Sequence, residues 1–151
     1  MTDAKLDFIV VGGVAATLHG VAEPTRDLDV CIRLTDDSWT RVAQVIAPLQ
    51  PRYALTPDLR PIVATPEELR QYRNLYVLTD LGRIDFLSEV PPIGDIDKVA
   101  GRAVEMQLDE KRIRVISVDD LLKVKEHVRR PKDLEVAAEL RAIRDALNAK
   151  K

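Results

Sequence analysis

Residues 6–11 are apolar and rich in β-branched side chains, and the run stops at Gly12-Gly13. That pattern predicts a short buried strand. Residues 14–19 carry Ala15, Ala16 and Leu18 and predict a short helix that starts after the glycines and ends at Gly20. Glu23-Pro24-Thr25 reads as a loop. From 28 to 34, Leu28, Val30, Ile32 and Leu34 alternate with Asp29, Cys31 and Arg33, the period of a strand. Trp39, Val42, Ala43, Ile46 and Leu49 then keep helical spacing over 36–49. Pro51, Pro57, Pro61 and Pro66 punctuate an irregular stretch, and Pro66 suits the first turn of a helix over 66–72.

The second half repeats this grammar. Residues 75–79 and 83–87 read as strands joined by Asp80-Leu81-Gly82, and Pro91-Pro92 breaks the chain. Residues 103–108 and 112–116 form another hairpin around Asp109-Glu110. Ser117 followed by Asp120 resembles a capping box opening a helix over 117–128. Pro131 opens the last helix, where Val136, Leu140, Ile143 and Leu147 form one stripe. The expected architecture is α+β: one domain, with a mixed-sheet core over 1–116 and a small helical cap over 117–148.

Composition adds bounds to this picture. A chain of 151 residues, 46% hydrophobic and 32% charged, is an ordinary globular domain with its own core. Its formal net charge of -2 supplies no global pull toward nucleic acid, so a polyanion needs a local basic patch. The single cysteine, Cys31, lies in a buried strand pattern and reads as a structural thiol. Residues 1–5 lack the charge pattern of a signal peptide, and no apolar run approaches the ~20 residues of a membrane span. The expected location is the cytosol, away from any membrane.

Three acidic positions carry the candidate chemistry. Asp27 and Asp29 stand two apart at the start of a strand, so both project from one face. Two carboxylates held that close repel, and a divalent cation with a preference for hard oxygen donors resolves the conflict. Taken alone, the pair reads equally as a solvated strand end. Asp85 is a third acid within a strand, flanked by Ile84 and Phe86. If its face joins theirs, three carboxylates converge and can hold two Mg²⁺ ions. Its position is equally compatible with a solvent-facing residue. Gly12 and Gly13 let backbone N–H groups approach a phosphate at a helix start, although a plain turn explains them too.

In combination these residues are more specific. Gly12-Gly13, thirteen intervening residues, Asp27-x-Asp29 and a later strand acid, Asp85, resemble the nucleotidyltransferase superfamily with the DNA polymerase β-like palm. Many members place Ser where this chain has Gly13. The resemblance implies transfer of a nucleoside monophosphate from an NTP to a hydroxyl. Asp27 and Asp29 would hold two Mg²⁺ ions, with Mn²⁺ as a substitute, and Asp85 would complete the first site. Gly12 and Gly13 would cradle phosphates of ATP or another NTP. Thr25 and Arg26 count as nucleotide contacts, though Arg26 is equally placed to pair with Glu23.

The C-terminal half, from Val115 to Lys125 and then Arg130-Pro131-Lys132-Asp133, is similar to small bacterial nucleotidyltransferases related to the abortive-infection (AbiE-type) toxins. That likeness implies an RNA or protein acceptor ahead of a small molecule, and an antitoxin or second subunit as partner. Lys125 sits at the centre of the apolar face set by Val118, Leu121, Leu122 and Val128. It therefore snorkels out to solvent, pairs with an acid such as Asp133, or lines the cleft, where beside a triphosphate it would be a phosphate contact. Lys132 joins it as a nucleotide contact, and Asp133 is either an ordinary first-turn acid or an anchor for Lys125. The basic run Lys123, Lys125, His127, Arg129, Arg130, Lys132 steers RNA or nucleotide or is a solvated face. His19 and His127 lack metal-ligand spacing and read as structural or surface residues. The reading in another functional class is a non-catalytic palm that binds a nucleotide or partner as an antitoxin or regulatory module.

Overall fold

The structure, a computed structural model, describes residues 1, 4–22 and 27–149. Nine strands and six α-helices follow one another among these residues. In chain order they are β1 (Phe8–Val11), α1 (Gly12–Leu18), β2 (Leu28–Ile32), α2 (Asp36–Ile46), β3 (Arg52–Tyr53), α3 (Pro66–Leu69), β4 (Leu75–Thr79) and β5 (Gly82–Leu87). The remainder are β6 (Glu89–Val90), β7 (Gly94–Asp95), α4 (Ile96–Ala100), β8 (Val104–Leu108), β9 (Lys111–Val115), α5 (Val118–Val128) and α6 (Pro131–Ala149).

Seven strands form one mixed sheet in the order β3-β4-β5-β2-β1-β9-β8, with β6 and β7 as a separate pair. The two central antiparallel strands, β1 and β2, each have a parallel outer neighbour, β9 and β5 respectively. Hairpins add the flanks. The β2–β5 pairing needs a long crossover because the strands run the same way. Residues 33–81, including α2, supply it. Strands 28–32 and 82–87 thus meet in space although 49 residues separate Ile32 from Gly82 in the numbering of the chain, from 33 to 81.

Local chemistry sets the helix starts. Thr35, Thr65, Asp95 and Ser117 cap α2, α3, α4 and α5, each side chain accepting from the backbone N–H three residues on. Trp39, Val42, Ala43 and Ile46 are buried, as their spacing predicts. The helix expected over 36–49 ends early, and Ala47–Leu49 forms a 3-10 turn. Pro48 has no N–H to continue the α ladder, and Gln50 closes the turn with φ 53°. The helix over 66–72 likewise stops at Leu69. The last stripe is buried at Val136 and Leu140, half-buried at Ile143 and exposed at Leu147, so α6 outruns the core.

The core is continuous from Ile9 and Val30 through Phe86 to Leu121 and Leu140, which joins the sheet to the C-terminal helices. α5 packs on α6 and also touches α1. Cys31 is buried in this core; burial first, then the charges of Asp95 and Glu89, push its thiol up to about 12. It is a protonated structural thiol, as expected. His19 is structural as well: its ring Nε2 lies 2.6 Å from the Ile116 carbonyl. Among the described residues, no helix is long and apolar enough to cross a membrane.

Leu140 is fully buried where α6 meets the core. Leu140→Ala is expected to cost about 3 kcal/mol of stability, within the usual range for deleting a buried leucine side chain. Urea denaturation followed by circular dichroism measures it.

Candidate active site

The register of the sheet decides where the acids meet. Asp29 on β2 pairs directly with Asp85 on β5, and with Val11 on β1 from the other side. Asp85 in turn pairs with Tyr76 on β4. Directly paired residues point to one face, and neighbouring strands stand ~5 Å apart. Val11, Asp29, Asp85 and Tyr76 therefore form one row across four strands, with the two carboxylates side by side at its centre.

This row opens into a cleft of about 620 Å³. Among the described residues its lining includes Gly13, Asp27, Asp29, Asp85, Lys125 and Lys132. The three predicted acids are thus brought together with three of the predicted nucleotide contacts, Gly13, Lys125 and Lys132. Thr25 and Arg26 lie outside the described residues.

Gly12 plays a different part from Gly13. Its φ is +70°, and a Cβ built there would lie 2.3 Å from the Asp29 Oδ2. Glycine at this position lets the Asp29 carboxylate sit against the backbone. Gly13 is the member of the pair that lines the cleft. The helix begins with the glycines rather than after them.

The acids feel one another strongly. Burial first, then the charges of Asp85 and Asp27 and a hydrogen bond with Asp85, raise Asp29 to about 6; Lys125 pulls the other way. Asp85 is buried, and its Oδ1 accepts from Arg83 Nε at 2.9 Å. Asp27 is exposed at the cleft mouth. The donor set is all carboxylate oxygen, the chemistry that Mg²⁺ or Mn²⁺ takes, and the raised Asp29 pKa reflects burial first and the neighbouring carboxylates second. Among the described residues, however, no group of three or more His, Cys, Asp or Glu side chains stands ready-arranged around a single ion position.

The facing wall comes from α5 and α6. Lys125 Nζ stands 3.3 Å from Asp133 Oδ1, and Arg130 Nε donates to Asp133 Oδ2 at 2.7 Å. Lys125 pairs with Asp133 and also lines the cleft. Burial alone would raise Asp133, but the hydrogen bonds and charges of Arg130 and Lys125 outweigh it and hold the carboxyl below its ordinary range. One buried carboxylate thus orients two cations and leaves the wall net positive.

Arg83 and Arg130 line the cleft as well and were absent from the expected site. Arg83 was legible in principle: it stands two before Asp85 on one strand and therefore on the same face. Arg130 stood out only as one member of the basic run and of the Arg130-Pro131-Lys132-Asp133 stretch, and the α5–α6 turn brings it to the cleft.

No protein-family model matches the sequence, and no curated protein matches it either. Solved structures of similar fold include the lincosamide antibiotic adenylyltransferase LnuA with lincomycin bound. It superposes with a TM-score of 0.61 at 14% identity, covering 94% of this chain and 90% of that one. A Thermotoga maritima protein ascribed nucleotidyltransferase activity gives 0.53 at 12% identity, covering 99% and 86%. The chain has the nucleotidyltransferase fold: a mixed sheet with C-terminal helices, as the sequence predicts. These likenesses establish that fold and do not single out the abortive-infection branch.

Two outcomes follow from the geometry. Gly12→Ala combines a strained φ with a clash onto Asp29 and is expected to cost about 2 kcal/mol, read by thermal denaturation. The second concerns pH. Asp29 titrates at about 6 in the folded chain and at its ordinary 3.8 when exposed. Between those values the folded state binds more protons, so stability falls as pH rises through this window. In metal-free buffer, Tm should therefore rise from about pH 7.5 to about pH 5, and Asp29→Asn should raise Tm at the higher pH and flatten the profile. An Asp29→Asn protein no more stable than wild type at the higher pH contradicts the assignment.

Proposed function

We propose that this chain is a magnesium-dependent nucleotidyltransferase that moves a nucleoside monophosphate from an NTP to a hydroxyl acceptor. The observation that supports it most directly is the pairing of Asp29 with Asp85 across β2 and β5, facing a cleft whose opposite wall is cationic. Asp27, Asp29 and Asp85 would hold the divalent ions, which neutralise the triphosphate and lower the pKa of the attacking hydroxyl. Gly13 admits the phosphates close to the backbone, and Lys125 and Lys132 receive their charge. Asp85, the most enclosed of the three acids, takes the acceptor's proton. The acceptor oxygen bonds to the α-phosphorus as the bond to the leaving pyrophosphate breaks. Catalysis is positioning and charge neutralisation.

The acceptor is where the supports diverge. The C-terminal resemblance to toxin-type enzymes favours an RNA end or a protein side chain, and an antitoxin partner with it. The likeness to LnuA, an antibiotic adenylyltransferase of nearly the same extent, favours a small hydroxylated molecule. The net charge of -2 weakens the case for unaided RNA binding. Incubation with each labelled NTP, Mg²⁺ and a cell extract, followed by separation of RNA, protein and small metabolites, identifies the acceptor class.

Asp29→Ala and Asp85→Ala are each expected to lower turnover by about 1,000-fold or more, since each removes a charge from the reacting centre. Lys125→Ala should act chiefly through a higher KM for NTP, by about 10-fold. Full activity in either aspartate variant removes the proposed mechanism. If no NTP binds by calorimetry with Mg²⁺ present, the chain is instead a non-catalytic module on the same fold.

A further inference from the structure

We propose that Arg83 is a resident counter-ion for Asp85, occupying the carboxylate in the metal-free protein and vacating it when a divalent cation binds. The inference rests on the metal-dependent reading above.

The geometry is specific. Arg83 and Asp85 stand two apart on β5, on one face, with Arg83 Nε 2.9 Å from Asp85 Oδ1. The Asp85 side chain is only 13% exposed, so its charge needs a partner, and among the described residues Arg83 forms an ion pair with it. A guanidinium cannot neutralise itself by losing a proton, so its charge is permanent at any physiological pH. A cation approaching Asp85 therefore meets a like charge a few ångströms away, in a cleft where solvent screens it incompletely.

Arg83 already has a second partner while it is bonded to Asp85. Its guanidinium carbon lies 5.7 Å from the centre of the Tyr76 ring, and Tyr76 pairs with Asp85 across β4 and β5. An aromatic face holds a guanidinium without hydrogen bonds to a carboxylate. Tyr76 can therefore retain the guanidinium when the bond to Asp85 is given up, and because Arg83 lines the cleft and is partly exposed, its positive charge stays where an anionic ligand would lie. Arg83 is thus a positioning residue that acts through Asp85. The arrangement settles the buried carboxylate while the metal is absent and makes loading of the metal a competition.

Mn²⁺ binding measured from the free-ion signal in electron paramagnetic resonance tests this without an activity assay. Wild type, Arg83→Ala and Arg83→Gln are compared, with Tm recorded in metal-free buffer. Arg83→Gln keeps a polar side chain of similar length and serves if Arg83→Ala does not fold. The expected result is Mn²⁺ affinity ~10-fold or more tighter in the folded variant, because the competing charge is gone. A lower metal-free Tm should accompany it, because Asp85 loses its partner. Unchanged or weaker Mn²⁺ binding in a folded variant, with wild type binding normally, overturns the role of Arg83 and leaves the proposed function standing. No Mn²⁺ binding in wild type removes the metal-dependent function, and this inference with it.

Discussion

Two carboxylates held side by side on neighbouring strands are the constraint around which this molecule is organised. Asp29 and Asp85 are paired in register, so neither can turn away without breaking the row they share with Val11 and Tyr76. Like charges at strand spacing repel, and burial deepens the cost. The folded protein answers with three local devices. Asp29 holds a proton up to about pH 6. Arg83 neutralises Asp85. Lys125, across the cleft, draws Asp29 toward its charged form. A site that must be offset in this way sits where stability and function oppose each other.

The backbone around the row is shaped to the same end. Gly12 lacks the atom that would strike Asp29, and its positive φ turns the chain from β1 into α1 at that point. The C-terminal helices then complete the cleft from outside the sheet. Their buried interior, through Leu121, Val136 and Leu140, fixes the wall, and Asp133 fixes the cations on it. A lysine at the centre of an apolar helix face is costly unless something receives its head group. Here the buried Asp133 receives it, and the cleft lies beside them.

Much of this was readable along the chain, for reasons that differ from element to element. The strand 75–79 and the long helices α2, α5 and α6 obey periods of two or 3.6 because each has one face in the core, whereas 28–32 is buried on both faces at Val30, Cys31 and Ile32. The caps at Thr35 and Ser117 are local chemistry and need no tertiary context. The short pieces β3, β6, β7 and α4 were not legible, since two to five residues carry too little period to register. They exist because neighbours supply their hydrogen bonds and burial: Arg52 and Tyr53 are a strand only beside β4. Pro48 was in plain view, yet a stripe continuing to Leu49 concealed the change from α-helix to 3-10 turn.

The sequence by itself determined which residues are chemically exceptional: a glycine pair after an apolar strand, two aspartates on one strand face, a third acid between apolar neighbours, and a lysine inside an apolar stripe. Those features are local and follow from periodicity. Only the tertiary structure decided that they are one site. The register of β2 against β5 is set by a 49-residue crossover, residues 33–81, and by the packing of both strands in the core. No local pattern encodes that long-range pairing, and a slip of one residue would send Asp85 to the opposite face. The same holds for Arg130 and Asp133, which reach the cleft through the packing of α5 on α6.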